Sequence, residues 1–466
     1  MEATLSSKLA HFIEQIRYDD FPRDVTEMAK DCLLDWLGCV YAARSELPVK
    51  SMAEMAKLSK GKEHSTIIPY GEMNSAPFAA LVNGAASHAL EFDDVHRDSV
   101  VHPATVIISA VFAVGERERI SGKSLIEAIV TGYEVMTRVG EAVGRSHYRF
   151  WHNTSTCGTF GSAAAAGKIL GLTQDQYVYA FGNAGSQSSG LWEFLSDGAD
   201  TSLLHTGKAA MNGIIAADLA KLNFTGARKI FEGEKGFYRA TSSDFDFNKL
   251  IEGLDRKPSK YRILSNSFKL YPSCRHPHSP IDASLELFSK YKLKWQDIDK
   301  VEIYTYSGSI NLCGDVKLKS PYIAKWHIPF SVATAIKYGI LSPKSYSDSR
   351  LKDKDLLNLT SRISLHLDPE LDALYPSQWP ARVEIYMKGG DKIQTTVYHP
   401  KGDPENPLTK EELISKFRDN TSGILSSEDV NRIINRINLL EDQRDLSEFL
   451  DDIELSKLDR SSPITE

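Results

Sequence analysis

The sequence predicts a mainly α-helical fold, with a large all-helical domain and a smaller α+β domain inserted before the C-terminal helices. Three observations support this fold class. The 466 residues exceed the roughly 250 to 300 at which one hydrophobic core stops growing, so two domains are expected. Apolar residues recur at helical spacing as far as about residue 262. Beyond that point, short segments alternate apolar and polar residues with the period of a β-strand.

Residues 1–262 are predicted to form the helical domain. Segments such as "DVTEMAKDCLLDWLGCVYAAR", "SAPFAALVNGAASHALEF" and "GKSLIEAIVTGYEVMTRVGEAVG" carry apolar residues over one side or most of a helix. Their alanine and glycine content lets helix backbones approach closely, as expected inside a large bundle. Strand-like alternation is not found in this stretch, so we expect helices alone.

Residues 263–399 are predicted to form the smaller α+β domain. Strands are expected at 299–308, 362–368 and 381–400. The last of these is a hairpin pattern with Gly389 and Gly390 at its turn. Helices are expected between the strands, at 278–290 and 324–338.

The remaining residues, 400–466, predict helices that complete the helical domain. "LTKEELISKFRDNT" and "SSEDVNRIINRINLL" carry this helical pattern. The acidic end, "LDRSSPITE", is expected to be a mobile tail.

Composition argues against several classes of protein. The formal net charge of −7 gives no general attraction to nucleic acid or to an anionic membrane. The five cysteines are scattered without a CxxC pair, which disfavours a disulfide framework and favours a reducing compartment. The first residues lack a signal-peptide pattern, and the longest apolar runs are too short to cross a bilayer. We therefore expect a soluble cytoplasmic protein without nucleic-acid or membrane partners.

Two partial motifs do not support a nucleotide site or a serine hydrolase. "SGKS" at 121–124 has Arg117 where a phosphate loop needs its first glycine, and no predicted strand precedes it. "GSQSSG" at 185–190 has Gln187 where a nucleophile elbow needs serine. No motif for an organic cofactor is found, so none is predicted.

Ionisable side chains gather at four places in the chain. The members are Asp93, Asp94, His96 and His102; His152; His205 and Lys208; and Lys269, Cys274, Arg275, His276 and His278. His102, His152 and His205 each stand just before a predicted helix. Helix starts carry free N–H groups and partial positive charge. If these three converged, they would form an anion site without an excess of lysine and arginine.

Two other interpretations stay open for these residues. Each histidine could serve only as a helix cap. Alternatively, His96 and His102, or the "HPH" at 276–278, could ligate zinc with Asp93 or Asp94. No spacing matches a metalloprotease or a zinc finger, so the predicted site contains no metal.

Five motifs of this chain resemble the MmgE/PrpD family. They are "EFDDVH" with its later "HP", "WHNTSTCGTFGSAAAAGKILGL", "SSGLWEFLSDGADTSLLHTGKAAMNG", "FEGEKGFYRA" and "FKLYPSCRHPHSPIDA". The resemblance follows the same order over most of the chain. The family includes 2-methylcitrate dehydratase, cis-aconitate decarboxylase and iminodisuccinate epimerase. It implies a helical domain with an α+β lid, a homodimer, and no metal or organic cofactor.

The resemblance also implies the positions of the active-site residues. They are Asp93 or Asp94, His102, His152, Lys269, Cys274 and His278, with His205 close by. Two positions depart from relatives: the decarboxylase branch has a histidine where Cys274 aligns, and Ser202 occupies a position that is commonly lysine. A substrate carboxylate contact would then come from Lys208 or Arg275.

The expected function is that of a cofactor-independent lyase acting on a small di- or tricarboxylate. Dehydration of 2-methylcitrate is the first expectation, followed by decarboxylation of cis-aconitate and by epimerisation of iminodisuccinate. These reactions build carbanion-like charge beside a carboxylate, which requires a base and fixed donors. A noncatalytic carboxylate-binding protein is the alternative from another class.

The expected roles follow from these residue types. His102 and His152 form a proton-transfer pair, since the unperturbed pKa of histidine lies near 6.5. Asp93 or Asp94 orients one imidazole, and Lys269 holds a substrate carboxylate. The site is expected between the helical domain and the lid.

Overall fold

The computed structural model describes residues 4–59, 61–254, 260–314 and 316–454. Its fold is mainly helical, as the sequence predicts, with short strands and one small four-stranded sheet. The predicted tail at 458–466 lies outside the described residues. Within the described chain, no helix combines the length and the apolar character needed to span a membrane.

The N-terminal region is built from helices that follow one another through short connections. They are α1 (Leu5–Gln15), α2 (Arg23–Ala42), α3 (Leu47–Lys57), α4 (Ala76–His88), α5 (Pro103–Glu118), α6 (Gly122–Val143), α7 (Arg145–Tyr148), α8 (Asn153–Ile169), α9 (Gln174–Gly185), α10 (Phe194–Asp197), α11 (Thr201–Lys221), α12 (Phe237–Thr241) and α13 (Phe247–Ile251).

Local sequence explains several of these helix boundaries. Pro103 occupies the first turn of α5, where its missing N–H is not needed. Thr173 and Gln176 form a reciprocal capping box at the start of α9. Gly198 ends α10 in the left-handed conformation. Asp200 then takes the cap position of α11.

The centre of the helical region depends on residues without side chains. Helices α4, α8 and α11 pack closely, and α8 is buried along nearly its whole length. A Cβ added to Gly207 in α11 would lie 2.1 Å from the carbonyl oxygen of Leu81 in α4. The backbones can therefore cross only because glycine stands at this contact.

Short strands in this region were not predicted, so the expectation of helices alone was wrong in detail. β1 (Ser65–Ile67) pairs with β2 (Glu72–Asn74), and β3 (Val95–His96) lies just before α5. β3 pairs with β4 (Asn266–Ser267), far along the chain. Segments of two or three residues are too short to display alternation.

The second region combines helices with an open sheet. Its helices are α14 (His278–Tyr291), α15 (Ser307–Cys313), α16 (Pro321–Ala324), α17 (Ile328–Tyr338), α18 (Asp348–Leu351), α19 (Lys354–Thr360) and α20 (Pro369–Asp372). Its sheet contains β5 (Ile298–Thr305), β6 (Ile363–Leu367), β7 (Ala381–Met387) and β8 (Lys392–Val397).

The strand order is β6-β5-β7-β8, with β5 and β6 parallel and the other neighbours antiparallel. All three predicted strand segments are present, and β7 and β8 form the predicted hairpin, with Gly389 and Gly390 between its strands. The predicted helices at 278–290 and 324–338 correspond to α14 and to α16 with α17.

The last helices, α21 (Lys410–Thr421) and α22 (Ser427–Asn438), return to the first region and pack on α2. Their apolar residues, including Phe417 and Ile433, belong to the large core cluster of the helical region. A separate cluster contains apolar residues between Tyr271 and Ile385. The predicted domain boundaries at 262 and 399 stay a prediction, and the first cluster extends past 262 to Ile263 and Phe268.

The close contact between α4 and α11 gives a test of the packing. Gly207→Ala should lower the free energy of unfolding by about 1 to 3 kcal/mol, because the new methyl group overlaps backbone atoms. Urea denaturation followed by circular dichroism measures the change. Gly389→Ala is the control, because a Cβ there meets no atom within 4 Å. Equal stability of the two variants would contradict this account of the helix crossing.

Candidate active site

A small enclosed space, here called the inner cavity, lies between the helical region and the α+β region. The helical region contributes Val95, Val100, His102, Tyr148, His152 and Trp192. The α+β region contributes Cys274, Arg275, His276, Trp326 and Trp379. Its volume is about 10 Å³, which is room for about one water molecule. The structure therefore represents a closed arrangement of the two regions.

Behind the cavity wall lies a group of buried charges, here called the charge cluster: His88, Glu91, Asp93 and Lys269. Lys269 Nζ lies 3.2 Å from Glu91 Oε2 and 3.5 Å from Asp93 Oδ1. His88 Nδ1 lies 2.8 Å from Asp93 Oδ2, and its Nε2 lies 3.4 Å from Glu91 Oε1. All four side chains are buried. Each carboxylate is thus placed between two cationic or N–H groups.

The cluster holds its members in charged forms despite their burial. Burial alone would raise the pKa of Asp93, but His88, His102 and Lys269 outweigh it and lower the pKa. Burial would lower the pKa of Lys269, whereas Glu91 and Asp93 raise it above its ordinary value. The pKa of His88 is also raised, because its two carboxylate neighbours outweigh burial. With His88 protonated, two negative and two positive charges balance.

His102 lies on the cavity side of this cluster. Its Nδ1 lies 2.7 Å from the carbonyl oxygen of Asp94 and 3.5 Å from Asp93 Oδ2. A carbonyl oxygen only accepts, so Nδ1 carries the hydrogen and Nε2 of the neutral ring is left to accept a proton. Burial lowers the pKa of His102 to about 4, against the opposing effect of Asp93. His102 is therefore neutral at pH 7, with a carboxylate placed to stabilise it once protonated.

His152 and His205 form a second pair of imidazoles. Their Nδ1 atoms lie 3.3 Å apart. Burial, followed by the neighbouring His205, lowers the pKa of His152 well below its usual value. Burial and Lys208 lower the pKa of His205 to about 4. Both rings are neutral at pH 7, and His152 is the member that lines the cavity.

The prediction that three histidines precede helices was correct for two of them. His102 and His152 occupy the cap positions of α5 and α8. His205 lies inside α11, which begins at Thr201, because the helix start follows the "DGAD" turn rather than the histidine. The third helix start near the site belongs instead to His278, the first residue of α14.

Capping does not explain these histidines. Neither His102 nor His152 makes a side-chain capping hydrogen bond to its helix. At α5 this role belongs to Asp94, whose Oδ1 accepts from the N–H of Ala104 at 2.9 Å. Asp94 Oδ2 accepts from the Tyr133 hydroxyl at 2.6 Å and from Asn266 Nδ2 at 2.8 Å. The geometry thus gives Asp94 a structural role and places Asp93 beside the imidazoles.

Only some of the predicted site residues of the α+β region line the cavity. Cys274 and Arg275 line the cavity, and Arg275 is also bonded to Asp403 and to His278 Nδ1. His278 does not line the cavity, and burial, followed by Arg275, lowers its pKa well below its usual value. Lys269 likewise does not line the closed cavity, because its ammonium faces Glu91 and Asp93.

Ser202, the departure noted in the sequence, joins the two regions. Its hydroxyl is hydrogen-bonded to the Tyr322 hydroxyl, which lies 3.3 Å from Glu91 Oε1. Lys208, suggested as a replacement cation, is bonded to the hydroxyl of Ser189 and does not line the inner cavity. Arg275 is therefore the better placed of the two suggested cations.

Metal ligation was one open interpretation of the histidines. Within the described residues, two groups of side chains have ligand atoms close enough together to hold a metal ion. One is His88, Asp93 and His102, and the other, more exposed, is His399, Asp403 and Glu405. In the first group both imidazoles already face Asp93, and the Lys269 ammonium would repel a cation. The second faces the Arg97 guanidinium, 3.0 Å from Asp403. His96 and His276, which the sequence suggested, belong to neither group.

Sequence reasoning missed several residues of the site. His88 and Glu91 belong to the charge cluster, yet they stand in a stretch interpreted as an apolar helix and its end. The signal available was their spacing, because His88, Glu91 and Asp93 fall within six residues. Trp379 and Trp326 reach the cavity from distant segments and carry no local signal.

Comparison with known proteins finds similarity over most of the chain. The sequence patterns of the MmgE/PrpD N-terminal domain and the MmgE/PrpD C-terminal domain match residues 7–250 and 271–442. The chain is similar to cis-aconitate decarboxylase of Aspergillus terreus, with 26 % identity covering 96 % of this chain and 95 % of that protein. The human cis-aconitate decarboxylase is 25 % identical, with 96 % and 94 % covered. The 2-methylcitrate dehydratase of Salmonella typhimurium is 22 % identical, with 77 % of each chain covered.

The charge cluster gives a prediction about stability. Lys269→Met should lower the free energy of unfolding by about 3 to 5 kcal/mol, because two buried carboxylates lose a cationic partner. Urea denaturation at neutral pH measures the loss. Adding Glu91→Gln to this variant should recover part of it, through a coupling of roughly 0.5 to 3 kcal/mol.

The control for this prediction is an exposed lysine with a similar partner. Lys300 lies 2.8 Å from Glu302 on the sheet surface, and Lys300→Met should leave stability nearly unchanged. Equal losses from the two lysine variants, or strictly additive effects of Lys269→Met and Glu91→Gln, would contradict the proposed coupling.

Proposed function

The chain belongs to the MmgE/PrpD family, and we propose on this premise that it is a lyase acting on a small di- or tricarboxylate. The observation that carries the proposal is the neutral His102 placed between the ionised Asp93 and the inner cavity. Such a pair accepts a proton from a carbon acid and stabilises the resulting imidazolium. The proposal needs no metal or organic cofactor.

Other groups of the site would stabilise the negative charge that develops on the substrate. The start of α8, at the cavity residue His152, adds partial positive charge beside the cavity. Arg275 adds a full charge on the opposite wall. A carboxylate bound among these groups would be stabilised more strongly as negative charge grows on the adjacent carbon. His152, which also lines the cavity, serves as the second proton-transfer group.

Two reactions fit this chemistry. Dehydration of 2-methylcitrate or a similar hydroxy acid is the first candidate, because the family resemblance implies a histidine in the decarboxylase branch where this chain has Cys274. Decarboxylation of cis-aconitate is the second candidate, and the longer coverage by the decarboxylase relatives favours it. In dehydration, His102 acts as the base: it takes a proton from the carbon beside a carboxylate, and the hydroxyl group leaves as water after gaining a proton. In decarboxylation, CO2 leaves and the resulting carbanion gains a proton, so an imidazole of the site must first be protonated and then acts as the acid. The proposal also includes a cytoplasmic homodimer.

Substrate access requires movement, because the closed cavity holds no polycarboxylate. A larger outer cleft of about 660 Å³ adjoins it and shares Val100, Tyr148 and Trp192 with its wall. The charged residues that line this cleft are two carboxylates, Asp98 and Glu141, and three cations, Arg145, Arg149 and Lys249. These cations would attract an anionic substrate to the side on which the cavity opens. Closure would then exclude water during the reaction.

The proposed reaction class is tested with purified protein and a panel of substrates. We expect turnover of 2-methylcitrate or cis-aconitate, followed by NMR of the substrate methylene and vinyl protons, without added metal and in the presence of a chelator. Iminodisuccinate serves as the third substrate, for the epimerase alternative. Binding without turnover of any of the three would support the noncatalytic alternative instead.

The role of His102 is tested by His102→Asn. Asparagine is compatible with the helix start but cannot accept the proton, so kcat should fall by about 10²- to 10⁴-fold while the thermal midpoint changes little. His366→Asn, on the outer sheet, is the control for loss of an imidazole and should keep full activity. Near-normal turnover by His102→Asn would refute the assignment.

A further inference from the structure

His276 is a cavity residue to which the proposed mechanism gives no role. It lies in the turn before α14, lines the inner cavity and is 2 % exposed. Its ring is stacked on Trp379, with centroids 4.6 Å apart and planes inclined by 9°. Its Nδ1 lies 2.6 Å from the Tyr306 hydroxyl. Two neighbours thus fix both the plane and the rotation of this ring.

The second feature is the environment of the other ring nitrogen, Nε2. Among the described residues, nothing forms a hydrogen bond with His276 Nε2, although the atom is buried. Buried nitrogen atoms in proteins nearly always have a hydrogen-bond partner, so an orphan at a cavity wall requires an explanation. A ligand oxygen in the cavity would supply the missing partner.

The hydrogen positions follow from Tyr306. Its hydroxyl is buried, and its pKa is raised well above the usual value, mainly by burial, so it stays protonated. Within the described chain its side chain makes one hydrogen bond, to His276. The hydroxyl hydrogen is satisfied only if it is donated to Nδ1. Burial, with Lys269 and His102, lowers the pKa of His276 to about 3, so the ring is neutral and its hydrogen lies on Nε2.

We propose that His276 is a substrate-contacting residue, which donates its Nε2 hydrogen to a carboxylate or hydroxyl oxygen of the bound polycarboxylate. Tyr306 acts through it as a positioning residue that fixes the tautomer. The inference rests on the proposed function for the class of ligand. His276 adds a fixed donor without adding charge, and it lies next to the cavity residues Cys274 and Arg275.

This contact determines specificity. A neutral donor inside a closed site rejects a substrate that lacks an oxygen at this position, because the donor is then buried without a partner. His276 therefore selects among polycarboxylates by the position of one oxygen, rather than by total charge.

The experiment compares two amide variants of His276. Glutamine places an N–H group near the position of Nε2, whereas asparagine reaches only the position of Nδ1 and can still bond to Tyr306. Calorimetry with tricarballylate, an unreactive tricarboxylate, measures the affinity. His276→Asn should weaken binding by roughly tenfold or more, and His276→Gln should remain within roughly threefold of the unmodified chain.

Tyr306→Phe provides a second, independent variant. It keeps the aromatic packing but allows the hydrogen to move to Nδ1, so tricarballylate binding should weaken without substitution of His276. Circular dichroism establishes that each variant is folded. If one of the His276 variants fails to fold, the affinity of Tyr306→Phe decides: unchanged binding overturns the proposal, and weakened binding supports it.

Other outcomes distinguish a failure of the His276 contact from a failure of the proposed lyase function. Equal affinities of the asparagine and glutamine variants, or no binding of tricarballylate to the unmodified chain, would overturn the role of His276. Binding with the expected order of affinities, but without turnover of any substrate, would refute the lyase function and support the His276 contact.

Discussion

The structure depends on burying two carboxylates, Glu91 and Asp93, at the junction of its two regions. Burial of an unpaired carboxylate is very costly, so the chain must bring compensating charge to the same place. Lys269 comes from the start of the α+β region, and His88 comes from the end of α4. The short pairing of β3 with β4 holds these segments in register just beside the cluster. Glu91 itself has a positive φ of 54°, an uncommon conformation for a residue other than glycine.

This cluster explains how two adjacent aspartates acquire different roles. The pKa of Asp93 is lowered, because three cationic or imidazole neighbours outweigh its burial. Burial raises the pKa of Asp94 to about 7, although Tyr133 donates a hydrogen bond to it. Asp93 faces His88 and His102, whereas Asp94 faces the start of α5. One aspartate therefore supports the proposed chemistry, and the other fixes the helix that carries His102.

Much of the fold and part of the site were predictable from the sequence. Helical spacing identified the long helices, and period-two alternation with Gly389 and Gly390 identified the hairpin. Proline after His102 located the start of α5. The two-residue pairing of β3 with β4 could not be predicted, because it is a contact between segments about 170 residues apart without a pattern of its own. The position of Lys269 behind the cavity wall, rather than in it, depends on that pairing.

The same contacts restrict how the site can open. Three groups hold one side of the cavity closed: Lys269 is bound to Glu91, Lys325 Nζ donates to the carbonyl oxygen of Ala89 at 3.0 Å, and Tyr322 bridges Ser202 and Glu91. Opening this side would leave the buried ammonium groups of Lys269 and Lys325 without their partners. The opposite side adjoins the outer cleft, where the wall consists of Val100, Tyr148 and Trp192. Val100 also has a positive φ, 52°, which is strained for a β-branched residue. We therefore expect the regions to pivot about the charge cluster and to part along the outer cleft. Substrate would then reach His102 and His276 while Asp93 keeps its partners.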